Sequence, residues 1–103
     1  MSGRVRRSLT GVALAAALTV SLAPAAQATV RHVGGGTWDY GIASLRPSWN
    51  WSNYHHPSRR HRSSVTGDGL LVSSRCTAPG EWSRSRAWDS RPWVIDEAFW
   101  TYC

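Results

Sequence analysis

Apolar and polar residues alternate along several short stretches of this chain, and glycine or proline residues separate the stretches. Trp49 and Trp51 alternate with polar residues, and residues 81–88 alternate in the same way. A period of two places successive side chains on opposite faces of a β-strand. After Ala28 no stretch shows the sustained period of a helix. The pattern predicts an all-β domain of about six short strands, enough for a small two-sheet β-sandwich.

The clearest local signal is a hairpin centred on Asp68-Gly69, a residue pair that favours the tight turn between two antiparallel strands. With this pair at the tip, strands are predicted over residues 61–67 and 70–75. Residues 29–33 precede the glycine run 34–36 and are predicted to form only a loose leader.

The predicted strand at residues 81–88 has two different faces. One face carries Trp82, Arg84, Arg86 and Trp88, whereas the other carries mainly small or polar side chains. Arginine binds phosphate through two parallel hydrogen bonds, and tryptophan stacks on sugar rings and on arginine. If this face is exposed, it is predicted to bind a ligand that contains phosphate and sugar. The alternative is that both tryptophans lie in the core and the arginines extend along its rim.

Aromatic residues dominate the apolar content of the chain after Ala28. All seven Trp, three Tyr and one Phe follow that residue, whereas Leu, Ile and Val are scarce there. The composition therefore predicts a largely aromatic core. Trp38, Tyr40 and Tyr54 have two interpretations: they line a glycan-binding groove, or they pack across the sandwich.

The first 28 residues resemble a secretory signal peptide. A short arginine-containing start precedes an apolar stretch, Pro24 interrupts it, and Ala26-Gln27-Ala28 supplies the small residues of a cleavage site. We predict a helical signal peptide over residues 1–28, cleavage between Ala28 and Thr29, and a secreted, extracellular domain over 29–103. A membrane anchor is the alternative, but the segment is alanine-rich and short for a spanning helix.

Removal of the signal peptide changes the charge of the protein. It takes away three of the twelve basic residues and none of the six acidic ones, so the net charge falls from +6 to +3. This modest charge, with no basic amphipathic helix, argues against a membrane-disrupting cationic peptide. Export and the reduced charge also argue against nucleic acid as a partner.

The two cysteines, Cys76 and Cys103, are predicted to form an intramolecular disulfide, because an exported chain meets an oxidising compartment. Free thiols or an intermolecular bond through Cys103 are the alternatives. The bond would close a loop of about 28 residues and tie down the C-terminus.

Metal binding and catalysis find little support in the sequence. His55, His56 and His61 are close enough in sequence to suggest a zinc site. The alternative is that they lie at the surface or in caps and make hydrogen bonds. Asp96 and Glu97 are adjacent, so on a strand their side chains point to opposite faces. We therefore predict no metal, no cofactor, no catalytic residue and no enzymatic activity.

Two longer motifs carry a family resemblance. Residues 34–41 read GGGTWDYG, and residues 52–65 read SNYHHPSRRHRSSV. These segments resemble the lactococcin 972 family of bacteriocins, whose motif has a Gly-Gly-x-Trp-x-x-Gly start and a later Ser-x-Tyr-x-His stretch that leads to His-x-Ser-x-Val. The matching residues are Gly35, Trp38, Gly41, Ser52, Tyr54, His56, His61 and Val65. More loosely, residues 78–82 and 98–102 resemble the family's later Ala-Gly-x-Trp and its aromatic C-terminal strand.

The resemblance implies a β-sandwich of two antiparallel three-stranded sheets. It also implies a secreted antibacterial protein that blocks cell-wall and septum synthesis by binding a lipid-linked peptidoglycan precursor (lipid II). A homodimer, an immunity membrane protein and an ABC transporter are implied as partners. The alternative function is a secreted, non-enzymatic module that binds cell-wall glycan without killing.

Overall fold

The computed structural model describes residues 27–103, so most of the predicted signal peptide lies outside the described residues. Seven strands follow one another along this part of the chain. They are β1 (Thr29–Val33), β2 (Gly36–Gly41), β3 (Ser48–His55), β4 (His61–Gly67), β5 (Leu70–Ser73), β6 (Trp82–Asp89) and β7 (Ala98–Tyr102). No helix within residues 27–103 has the length and apolar character needed to cross a membrane.

The strands form two antiparallel sheets, which confirms the predicted all-β sandwich. One sheet has four strands in the order β1-β2-β3-β6, and the other has three in the order β5-β4-β7. Strand β3 pairs with β6 over its full length, and β4 pairs with β7. Both pairings join distant parts of the sequence, because the chain crosses from one sheet to the other between the paired strands.

The prediction of a loose leader at residues 29–33 was wrong, and this segment is the fourth strand of the larger sheet. Strand β1 pairs with β2 from Thr29 opposite Tyr40 to Val33 opposite Gly36. Gly34 and Gly35 form the two-residue turn between them, with φ angles of 60° and 82°. Glycine adopts such angles without the steric cost that other residues meet, which allows the glycine run to reverse the chain.

The predicted hairpin at Asp68-Gly69 is confirmed. Gly67 lies opposite Leu70 across the turn. Asp68 and Gly69 have φ angles of 51° and 80°, as a type I′ hairpin turn requires at both central positions. Asp68 also accepts hydrogen bonds from the backbone N–H and hydroxyl of Ser90, at 2.9 and 2.8 Å, which joins this hairpin to the chain after β6.

The space between the sheets is small and polar, so the prediction of a largely aromatic core was wrong. The buried apolar residues of residues 27–103 are Ala43, Tyr54, Val65 and Ala87. The buried polar residues are Asn50, Ser52, His56, His61, Ser63, Ser83, Ser85, Asp89 and Asp96. Serine side chains let the two sheets approach closely, and most tryptophans consequently lie on outer faces, where their bulk meets no facing sheet.

Asn50 organises the end of the interior that lies under the hairpin turn. Its Oδ1 accepts a hydrogen bond from the backbone N–H of Ala43 at 2.7 Å. Its Nδ2 donates to the carbonyl of Thr66 at 2.9 Å and to Asp89 Oδ2 at 3.2 Å. One buried amide therefore joins the β2–β3 loop, β4 and β6.

Two acidic side chains lie close together at the same end. Asp89 is fully buried, and one oxygen of the nearby Asp96 is buried without a hydrogen-bond partner. Burial, together with the Asp96 carboxylate, raises the pKa of Asp89 above its ordinary value of 3.8. A group whose pKa is raised on folding contributes stability below its ordinary pKa, and this contribution is lost as the pH rises through the folded value.

We expect Asp96→Asn to flatten the dependence of stability on pH above about pH 4, because it removes the charge that opposes ionisation of Asp89. The new amide can keep the bond from the Thr66 hydroxyl and donate to Asp89. Urea unfolding at a series of pH values measures the effect. Asp68→Asn is the control, since the Ser90 hydroxyl lowers the pKa of Asp68, so its replacement should cost a constant stability above about pH 4 and change the shape of the pH profile only at more acidic pH. Parallel pH profiles for Asp96→Asn and the parent protein would contradict the expectation.

Cys76 and Cys103 form the predicted disulfide, with their Cα atoms 6.0 Å apart. The bond joins the end of β7 to the segment that follows β5. The backbone N–H of Cys103 also donates to the carbonyl of Arg60 at 3.1 Å. The C-terminal strand is thus held at its last residue by a covalent bond and a hydrogen bond.

Candidate functional site

The outer face of the four-stranded sheet carries a regular array of tryptophan, arginine and polar side chains. Four pairs of residues lie opposite each other where β3 meets β6, and residues in register share a face. The pairs are Trp49 with Trp88, Trp51 with Arg86, Asn53 with Arg84, and His55 with Trp82. We call these eight residues the Trp-Arg face.

The Trp-Arg face is exposed to solvent, which decides between the two interpretations of β6. Burial alternates strictly along β6, with Trp82, Arg84, Arg86 and Trp88 exposed and the intervening residues buried. Trp82 and Trp88 keep 38% and 46% of their surface accessible. The alternative, in which both tryptophans lie in the core, is therefore wrong, because serine and alanine occupy the inner face instead.

Aromatic rings hold both arginines in place. The Arg86 guanidinium lies 4.2 Å from the ring centroid of Trp49, and that of Arg84 lies 5.4 Å from Trp82. Trp49 in turn packs edge-on against Trp88, with ring centroids 5.4 Å apart. Such contacts restrict the long arginine side chains without neutralising their charge.

Neither arginine of the face has an acidic partner in the described part of the chain. The ion pair found within residues 27–103 joins Arg91 to Asp68. Asp39, the acidic residue on the neighbouring strand, accepts a hydrogen bond from Trp51 Nε1 at 3.1 Å. The two guanidinium groups are therefore available to bind an anion, and their planar N–H groups match the geometry of phosphate.

Two shallow grooves lie along this side of the sheet. One has a volume of about 410 Å³ and is lined by Trp51, Asn53, Arg84, Ser85 and Arg86. The other, of about 570 Å³, lies towards the Gly34-Gly35 turn, with His32, His55 and Pro57 among its lining residues. Both grooves are large enough for parts of an extended ligand.

Trp38, Tyr40 and Tyr54 do not join the Trp-Arg face, because they lie on the opposite side of the same sheet. Trp38 is in register with Tyr54, whose side chain is fully buried. Tyr54 stacks on Trp100 at 4.7 Å, and Trp38 stacks on Tyr40 at 4.0 Å. Packing is thus the role the structure supports for Tyr54, and Trp38 and Tyr40 form a separate, half-buried pair.

The sequence pattern did not identify half of the Trp-Arg face. It placed Trp49 and Trp51 on one face of a strand but did not connect them with Arg84 and Arg86, and it omitted Asn53 and His55. The alternation along residues 48–55 is the same signal that identified β6. What the pattern lacks is the pairing of β3 with β6, which joins residues 27 to 41 positions apart.

His56 and His61 are buried and make hydrogen bonds, so of the two expected positions, surface or cap, the structure supports a cap for His56 and places neither ring at the surface. His56 Nδ1 accepts bonds from the backbone N–H groups of Ser58 and Arg59, as a loop cap does. The two ring nitrogens of His61 each lie 2.7 Å from a backbone carbonyl, those of Arg59 and Glu81. Within residues 27–103 no group of three or more His, Cys, Asp or Glu residues is arranged to hold a metal ion.

The motif residues of the family resemblance mostly build the interior. Ser52, Tyr54, His56, His61 and Val65 are all buried. Gly41 lies under the Trp51 ring, and a Cβ atom there would overlap it. Gly35 shapes the β1–β2 turn, and Trp38 donates from Nε1 to the Ser52 hydroxyl at 2.9 Å. This motif therefore specifies the fold, while the arginines of the Trp-Arg face lie outside it.

Comparison with known proteins gives one match. The family model described as Bacteriocin (Lactococcin_972) matches residues 34–100, which span β2 to β6 and most of β7. No curated protein and no solved structure matches the chain.

Proposed function

This chain belongs to the lactococcin 972 family of bacteriocins, and we propose that it is secreted and blocks cell-wall and septum synthesis in related bacteria by binding lipid-linked peptidoglycan precursor. Binding and not catalysis is the proposed mode of action. Residues 1–28 would direct export and be removed after Ala28. An immunity membrane protein and an ABC transporter would accompany it in the producing cell, and the active form would be a homodimer.

The observation that carries the proposed target is the pair of unpaired arginines, Arg84 and Arg86, exposed between tryptophans on one sheet face. A lipid-linked precursor has a pyrophosphate next to two sugars. The guanidinium groups supply charged hydrogen bonds to the phosphates, and flat indole rings supply stacking surfaces for the sugars. The Trp-Arg face offers both kinds of group within one groove.

The arrangement of the interior supports this use of the outer face. Hydrogen bonds from Ser83 and Ser85 to carbonyls of β3 hold the two strands together from the inside. The outer side chains of β3 and β6 are therefore not needed to maintain the register. They are free to contact a ligand, and substitution of the arginines should leave the fold intact.

The double substitution Arg84→Gln and Arg86→Gln is expected to weaken precursor binding by about 10–100-fold, because it removes charged hydrogen bonds to the pyrophosphate. Binding is measured with purified precursor in detergent. The matched control is Arg60→Gln with Arg75→Gln, which makes the same change of charge at two exposed residues outside β3 and β6. Equal affinity for both double variants would refute the role of the Trp-Arg face.

Growth inhibition of a panel of related bacteria by oxidised residues 29–103 tests the wider proposal. Killing that excess precursor relieves supports the target. Killing that precursor does not relieve would leave an antibacterial protein with a different target. Failure to kill any strain in a broad panel would favour the glycan-binding module without killing activity.

A further inference from the structure

The exposed large apolar side chains of the domain are concentrated at one end. Twelve such residues occur within residues 27–103, and eight of them lie at the end that holds the Asp68-Gly69 turn. We call these eight residues the apolar end. They are Leu45, Trp49, Leu70, Leu71, Trp88, Trp93, Val94 and Ile95. Trp93 and Ile95 keep 75% and 87% of their surface accessible, so the interior gains little from them.

Specific bonds bring three loops together to form this end. The Asp68 turn is joined to the segment after β6 by its bonds to Ser90 and its ion pair with Arg91. Thr66, next to the same turn, donates to the carbonyl of Glu97 at 2.9 Å. The Asn50 amide holds the loop that contains Leu45, through the N–H of Ala43. The apolar side chains therefore project from a braced surface.

The charges around the apolar end are mainly positive towards solvent. Arg46 is exposed beside Leu45 and Arg86 lies over Trp49, whereas the charge of Arg91 is paired with Asp68. Of the acidic groups there, Asp89 and Asp96 are buried, and Asp68 is bound to Ser90 and Arg91. Glu97 is the acidic residue that remains exposed.

We propose that the apolar end inserts into the interface of an anionic phospholipid bilayer. Tryptophan concentrates at the level of lipid headgroups, where its apolar ring is buried and its N–H stays hydrated. Arginine beside such residues attracts anionic lipids, and an exposed apolar patch of this size marks a surface that contacts another molecule or a membrane. The contact is peripheral: loop side chains enter the headgroup region and no segment crosses the bilayer.

This orientation also sets how far each residue of the Trp-Arg face lies from the membrane, which matters if the proposed function is correct. Trp88 belongs to the apolar end, and along a strand each residue advances about 3.3 Å, so Arg86 follows at about 7 Å and Arg84 at about 13 Å. In a lipid-linked precursor the pyrophosphate lies next to the membrane and the sugars lie beyond it. Arg86 would then meet the phosphates first, and Trp82 with His55 would lie near the sugars.

Vesicle flotation with oxidised residues 29–103, which contain all seven strands and the disulfide, tests the proposal without any precursor. Vesicles of phosphatidylcholine with phosphatidylglycerol should retain the protein, and vesicles of phosphatidylcholine alone should retain less. Trp93→Ser with Ile95→Ser should weaken retention by at least about tenfold, since two apolar side chains no longer enter the interface. The control is Val30→Ser with Phe99→Ser, which removes exposed apolar groups elsewhere and should retain full binding.

Unchanged unfolding temperatures would show that both double variants fold. Equal retention of the two variants, or no retention of the parent protein, would overturn the membrane contact. Self-association that Trp93→Ser with Ile95→Ser abolishes, without vesicle binding, would assign the apolar end to a second copy of the chain instead. The proposed target is tested separately by the binding of a precursor analogue that lacks the lipid tail, measured in solution. Such binding does not depend on membrane contact, so it can persist if the vesicle experiment fails and can fail if the vesicle experiment succeeds.

Discussion

Replacing Asn50 with leucine should destabilise the domain by about 3–6 kcal/mol, because three buried polar groups lose their partner at once. The N–H of Ala43, the carbonyl of Thr66 and the carboxylate of Asp89 all bond to this amide. Leucine has a similar volume, so it fills the space but satisfies none of them. Each buried group left without a hydrogen bond costs about 1–3 kcal/mol.

Chemical denaturation of Asn50→Leu measures this loss. The matched control is Asn53→Leu, three positions further along the same strand but on the outer face, where the side chain is half-exposed. Substitutions at such positions change stability by about 0.5 kcal/mol or less. If both variants lose equally little, the Asn50 hydrogen bonds do not organise this end of the sandwich.

Loss of the disulfide should have a comparably large effect. Replacing Cys76 and Cys103 with serine frees a loop whose ends are 27 positions apart, which is worth about 3–4 kcal/mol in the chain-entropy treatment. In a domain of this size each kcal/mol shifts the unfolding temperature by about 4–8 °C. The melting temperature should therefore fall by about 12–30 °C.

Thermal unfolding with and without reductant tests the assignment. Reduced parent protein should unfold at the same temperature as the double serine variant, and reductant should not change the unfolding temperature of the variant. Strand β7 should be the first element to lose protection from hydrogen exchange, since Cys103 anchors its end. A variant that melts within a few degrees of the oxidised protein would show that the remaining contacts of β7 are sufficient.

Local features of this fold could be predicted from the sequence, because their causes lie within a few residues. The hairpin at Asp68-Gly69 depends on the two residues at its tip, and the alternating faces of β6 depend on the pleat of one strand. The disulfide followed from the even number of cysteines. These predictions needed no knowledge of which distant segments meet.

Predictions that depended on distant partners were less successful. A strand at residues 29–33 becomes visible only once the Gly34-Gly35 turn places it beside β2. The composition suggested that tryptophan must fill the core, but composition does not say which face of a strand meets the second sheet. The Trp-Arg face was half identified for the same reason, since its other half comes through the pairing of β3 with β6.

The serine- and asparagine-rich interior has a thermodynamic consequence. Unfolding raises heat capacity when it exposes apolar surface and lowers it when it exposes polar surface. Much of the apolar surface here already faces solvent, whereas most of the residues buried between the sheets are polar. The heat-capacity change of unfolding is therefore smaller than in a domain of equal length with an aliphatic core. The free energy of unfolding of this domain therefore changes little with temperature, so cooling and moderate warming alter the folded population little.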